Sequence, residues 1–145
     1  MLLDHTAGPV MHLAIGGGKE GSLFLVNRDN LGKDNATDQV VQKFNLGHPI
    51  FATAAFWQNN LYLAGIGPME QFTFSPTTGM FSAAAASVSG YSEARGGRDT
   101  AGDAVKFTVP TVANGKVYIG TRGNDDTQGH GTVFGEIDVY GLLPN

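Results

Sequence analysis

The chain has 145 residues, nine Lys and Arg against thirteen Asp and Glu, a formal net charge of −4 and no cysteine. Its few cations are scattered rather than gathered into a stripe, which argues against nucleic acid and against an anionic membrane surface as partners, since both need clustered positive charge. The missing cysteines exclude disulfides and thiolate-held zinc or iron–sulfur sites, and no segment approaches the ~18 apolar residues of a membrane-spanning helix.

Charged residues make up only 15% and glycines number 21. Glycine supplies the positive-φ positions of tight turns and weakens helices, so this composition points to many short strands. In chain order, Leu2-Leu3 is an apolar stub before a turn-rich stretch, and a strand is expected over 10–15. Gly16-Gly17-Gly18-Lys19-Glu20-Gly21 is a turn, followed by a strand over 22–27 whose Leu23, Phe24, Leu25 and Val26 form a continuous apolar run. Such a run suits a strand covered on both faces. Residues 28–38 read as a polar loop and 39–46 as an outer strand. Further strands are expected over 50–56, 61–66, 70–74 and 80–85, with a turn at Ser75-Pro76-Thr77-Thr78-Gly79. The stretch 87–105 has no period and reads as a long loop. Strands then follow over 107–112, 116–121 and 136–140, the last two separated by a polar insertion at 122–132.

Two of these segments superimpose without a gap. Residues 51–63 lie over 107–119 at an offset of 107 − 51 = 56, with Phe51 on Phe107, Phe56 on Val112, and Leu61-Tyr62-Leu63 on Val117-Tyr118-Ile119. Each reads as strand, two-residue polar turn, strand, and Asn114-Gly115 is the strongest short hairpin signal available. A repeated all-β unit of this kind signals a propeller blade, a small antiparallel sheet that cannot bury its faces alone. The expected fold is all-β, a partial β-propeller of about three antiparallel four-stranded blades. These units span about 1–47, 48–88 and 104–143, the last lacking its outer strand. Closed propellers have roughly four to eight blades, so an open arc with an unpaired edge at 136–140 is expected to self-associate or to join further blades of the same protein.

The residues also carry a family resemblance. Residues 106–121 with Val139-Tyr140-Gly141-Leu142-Leu143 resemble the closing blade of bacterial quinoprotein-like (PQQ-repeat-like) β-propellers, and Gly97-Arg98-Asp99-Thr100 resembles the lead-in to it. Residues 18–32, with Asn27-Arg28-Asp29-Asn30, resemble an earlier blade of the same proteins. The resemblance implies a C-terminal portion with an internal blade missing near Tyr91, and a periplasmic or secreted parent. The N-terminus as written has no signal peptide. The resemblance implies a non-catalytic scaffold or binding module, or a truncated fragment of a larger quinoprotein-like protein. The alternative is a sector of a PQQ-dependent dehydrogenase-like enzyme, which would bring PQQ and calcium as cofactors. Trp57 is the single tryptophan, and the turn at 76–81 lacks the tryptophan usual after it in the enzymes.

Individual site candidates are few, and no catalytic residue is assigned. Asp125 and Asp126, in the loop 124–132, are the richest oxygen-ligand cluster and are candidate calcium ligands, set against a solvated inter-strand loop; they fit no full EF-hand pattern. His5, His12, His48 and His130 show no ligand spacing, and His12 is expected to pack in the core or face the axis. Gly16–Lys19 lacks the Ser/Thr and the helix of a phosphate loop. No serine sits in a Gly-x-Ser-x-Gly elbow. Asn35-Ala36-Thr37 is a glycosylation sequon. If the 124–132 loop is a calcium site, added Ca²⁺ raises the melting temperature and the paired change Asp125→Asn, Asp126→Asn abolishes the rise. A parent chain whose melting temperature ignores Ca²⁺ leaves it a solvated loop.

Overall fold

A computed structural model of the protein describes residues 1–4, 8–64, 69–88, 106–121 and 135–141. Those residues form strands and turns with no helix, arranged in three antiparallel sheets. Sheet I is a meander of β1 (Leu2–Asp4), β2 (His12–Gly17), β3 (Ser22–Asn27) and β4 (Gln42–Asn45). Sheet II runs β5 (Ala55–Trp57), β6 (Asn60–Leu63) and β7 (Glu70–Ser75). The outer edge of β7 then carries two short strands, β8 (Met80–Phe81) near one end and β9 (Ser87–Val88) near the other. Sheet III is β10 (Thr111–Ala113), β11 (Lys116–Thr121) and β12 (Glu136–Gly141), with β12 at its edge. The first two residues of the expected 87–105 loop are therefore strand; residues 89–105 lie outside the described residues.

The sequence repeat is also a repeat of register. Ala55, Phe56 and Trp57 pair with Tyr62, Leu61 and Asn60, and Thr111, Val112 and Ala113 pair with Tyr118, Val117 and Lys116, each residue 56 positions on. Both hairpins close through two residues of positive φ, Gln58 (45°) with Asn59 (62°) and Asn114 (50°) with Gly115 (71°). That is the two-residue turn whose twist matches the flanking strands. On the next strand Tyr62 pairs with Gln71 and Tyr118 with Val139, an offset of 139 − 71 = 68. The third unit thus keeps the pairing but carries twelve more residues (68 − 56) between its second and third strands.

Period-two alternation builds the core. Leu13 and Ile15 on β2 and Leu23 and Leu25 on β3 share one face of sheet I, and Leu61, Leu63, Phe72 and Phe74 share one face of sheet II. These residues are buried and form a single cluster with Leu3, Ile50 and Phe81. Burying each such side chain contributes ~1.5–3 kcal/mol before entropy is charged against it. Phe44 of sheet I reaches Phe72 of sheet II at 5.1 Å between ring centroids, and Phe56 stands edge-on to Phe74 and Phe81 at 6.1 and 6.2 Å. The run Leu23–Val26 is not covered equally on both sides, because Phe24 and Val26 on the opposite face are only half-buried.

Polar contacts complete the joint between sheets I and II. The Gln42 side-chain amide donates to the Phe81 carbonyl oxygen at 2.9 Å, and the Phe81 backbone N–H donates to Gln42 Oε1 at 2.8 Å. One side chain thereby imitates a β-bridge across 39 residues of sequence. The expected strand over 50–56 shrinks to Ala55–Trp57 for a tertiary reason. The Leu46 N–H donates to Gly21 O and the Ile50 N–H to Gly18 O, so this segment is tied to the β2–β3 turn and not to β6. The fit is close at Gly21 (φ 73°), where a Cβ would lie 2.6 Å from the His48 carbonyl oxygen. The polar loop after β3 is held locally, with the side chains of Asn27, Asn30, Asn35 and Asp38 each accepting from the backbone N–H two residues on.

Gln42→Leu removes both bonds and leaves a half-buried donor and acceptor of β8 without their partner. Urea unfolding should show a loss of about 1–3 kcal/mol. No change in midpoint would mean that water replaces the side-chain amide.

Candidate association surface

The described residues singled out by chemistry do not converge. Asp125 and Asp126 lie outside the described residues, as do His5 and His130. Among the described residues no group of three or more His, Asp or Glu could hold a metal ion. The two described histidines serve separate structural contacts. His12 is not in the core: it opens β2, is exposed, and its Nδ1 donates to Asp29 Oδ2 at 2.8 Å. His48, in the link between sheets I and II, donates from Nε2 to Glu70 Oε2 at 3.1 Å with both side chains largely buried. Its Nδ1 is buried without a partner among the described residues. Gly16–Lys19 forms the end of β2 and its turn, and Lys19 points its ammonium at the Phe51 ring, 6.0 Å from the centroid.

A cavity of about 110 Å³ opens between the inner strands, lined by Met1, Ile15, Ile50, Leu63 and neighbours. Thr53 supplies the one hydroxyl of that lining. Ligand sites run to ~300–1,000 Å³ with several convergent polar groups, and this lining offers neither the room nor the groups.

Sheet III presents the feature that packing does not account for. Val117, Ile119 and Thr121 on β11 are buried, and register places Tyr140, Asp138 and Glu136 of β12 on that same face. The other face carries Tyr118 with Ile137 and Val139, which are 72% and 50% exposed. On β12 the acidic residues therefore share the face of the buried β11 residues, and the aliphatic residues point outward. Phe107, just before β10, is 75% exposed and touches its repeat partner Phe51 edge-on at 6.3 Å, with the Lys106 ammonium 4.9 Å from the Phe51 ring.

The corresponding face of sheet II differs in chemistry. There Asn60 accepts from the Gln71 amide at 2.9 Å and from the Thr73 hydroxyl at 3.2 Å, and burial pushes the Tyr62 hydroxyl above the ordinary tyrosine range. Val139 occupies in sheet III the place of Gln71. At the other end of the chain, the second face of sheet I carries Ala14, Phe24 and Val26, all half-buried, with the Lys43 ammonium 5.1 Å from the Phe24 ring centroid. Sheets II and III lie side by side through β5 and β10, and Trp57 reaches the Asn114-Gly115 turn. Among the described residues, sheet III thus exposes the aliphatic pair Ile137 and Val139, while the second face of sheet I sets half-buried Ala14, Phe24 and Val26 beside exposed His12 and Lys43.

The sequence alternates acidic and aliphatic residues over 136–139, which marks two faces, but alternation alone assigns the apolar side to the core. No family model, curated protein or solved structure matches the chain.

Ile137→Lys with Val139→Lys should leave the urea midpoint within the ~0.5 kcal/mol typical of surface changes, while lowering the fluorescence of a bound apolar dye. A large loss of stability would show that this face is already packed.

Proposed function

We propose that this chain is a non-catalytic scaffold or binding module, a β-propeller sector of the quinoprotein-like kind. The observation that carries the reading is the coincidence of register in sheets II and III, where paired residues recur 56 positions on and the same turn recurs between them. Repeats of one supersecondary unit bury their faces by stacking on one another, and sheets I and II share one apolar cluster in that manner. The work of such a sector lies in its surfaces: the outward Ile137 and Val139 of sheet III, the Phe24 and Val26 face of sheet I, and the exposed Phe107 beside Phe51.

The competing class, a sector of a PQQ-dependent dehydrogenase, differs in one measurable respect. With PQQ, Ca²⁺ and an artificial electron acceptor, the scaffold reading expects no dye reduction above the protein-free background, whatever alcohol or sugar is supplied. Reduction that requires chain, PQQ and substrate together would overturn it.

A further inference from the structure

We propose that Asn114 is a site of spontaneous deamidation, with Gly115 supplying the attacking nitrogen, and that the isoaspartate product unseats the turn joining β10 to β11. Asparagine is a thermolabile side chain, and residues 114 and 115 are the only Asn-Gly pair in the chain. The reaction consumes water alone. The Gly115 backbone nitrogen attacks the Asn114 side-chain carbonyl carbon, and the new C–N bond closes a succinimide ring. The side-chain nitrogen leaves as ammonia, carrying the proton that the backbone nitrogen gives up. Water then opens the ring at either carbonyl, giving aspartate or isoaspartate, with no change of oxidation state. Either product adds a negative charge to the net −4.

The structure singles out this asparagine among those it describes. The amide oxygens of Asn27, Asn30, Asn35 and Asn45 each accept a backbone N–H two residues on, and that of Asn60 accepts from Gln71 and Thr73. A side chain tied through its oxygen is less free to bring its carbonyl carbon onto the next nitrogen. The Asn114 side chain has no hydrogen-bond partner among the described residues, and both it and Gly115 are exposed. Asn59 is exposed too, but the residue after it is Asn60, whose Cβ crowds the attacking nitrogen; Gly115 carries none. The attack needs the turn to flex, and the exposed end of a hairpin is where local opening costs least. The repeat supplies a matched control, because Gln58 and Asn59 form the same positive-φ turn without an Asn-Gly pair.

The two products differ in consequence. Aspartate keeps the main chain as it was, and Asp-Gly suits the same hairpin turn. Isoaspartate routes the chain through the side-chain methylene, which lengthens a two-residue turn and costs Thr111–Ala113 their register with Lys116–Tyr118. Trp57, the single tryptophan, reports the change, since its ring lies 4.0 Å from where a Cβ on Gly115 would sit.

The test ages the folded chain in mildly alkaline buffer and follows it by peptide mass mapping. The expected result is ammonia release and a mass gain equal to exchanging NH2 for OH, appearing first in the peptide that holds residues 114 and 115, with isoaspartate there. Asn114→Gln and Gly115→Asn install the residues that sheet II uses in its own turn, and each should lose the gain over the same period; the second variant serves if the first fails to fold. The isoaspartate-bearing chain should show shifted Trp57 emission, whereas Asn114→Asp should keep that of the parent. Earlier conversion at another asparagine overturns the assignment, as does an Asn114 that persists in the folded chain while the same chain unfolded in guanidinium converts. Equal emission from the isoaspartate chain and Asn114→Asp overturns the effect on the turn.

Discussion

The contact between the Leu13/Ile15/Leu23/Leu25 face of sheet I and the Leu61/Leu63/Phe72/Phe74 face of sheet II is the joint on which the chain depends. Among the described residues neither sheet has a second layer of its own, and a small antiparallel sheet with one bare apolar face is marginal in water. Each therefore serves as the other's core. The rest of the architecture protects that joint. Phe44 crosses from sheet I to Phe72, Gln42 supplies Phe81 with the donor and acceptor that β8 would otherwise lack, and the link through His48 is tied to the turn of sheet I by backbone bonds. The His48–Glu70 contact adds a largely buried polar pair at the same junction.

Sheet III repeats the local geometry of sheet II without repeating its surroundings. Its hairpin has the same register and the same turn, and its Val117 and Ile119 are buried as Leu61 and Leu63 are. Its third strand diverges. Where sheet II has Gln71 hydrogen-bonded to Asn60, sheet III has Val139 facing outward. The described polar side chains, Gln42, Asn60, His48 and His12 among them, are engaged in holding strands, turns and links in place.

Some of this could be read directly from the residues. Asn114-Gly115 defines a turn through its own backbone preferences, and the repeat at offset 56 carries that turn over to Gln58-Asn59, where no glycine announces it. The strand over 22–27 and the strand over 116–121 were legible because each is a compact apolar run bounded by turn residues. Local pattern failed where a distant partner decides the outcome. Residues 50–54 have strand-like composition, but the Ile50 N–H is taken by Gly18, and His12 sits at the exposed mouth of a strand because Asp29 is there to accept its N–H. Ser87 and Val88 look like loop until β7 offers them an edge.

The amino-acid sequence alone determined the class of structure: short strands, tight turns and one recurring unit, since these follow from residue preferences acting over a few positions. It also determined which positions on each strand are apolar. Only the tertiary structure decided which side of β12 shares the buried face of sheet III, which edge receives β8 and β9, and which loop is pinned to which turn. The physical reason is that alternation fixes two faces and not their neighbours. A face becomes core or surface according to what lies across from it, and that is set by residues far away along the chain.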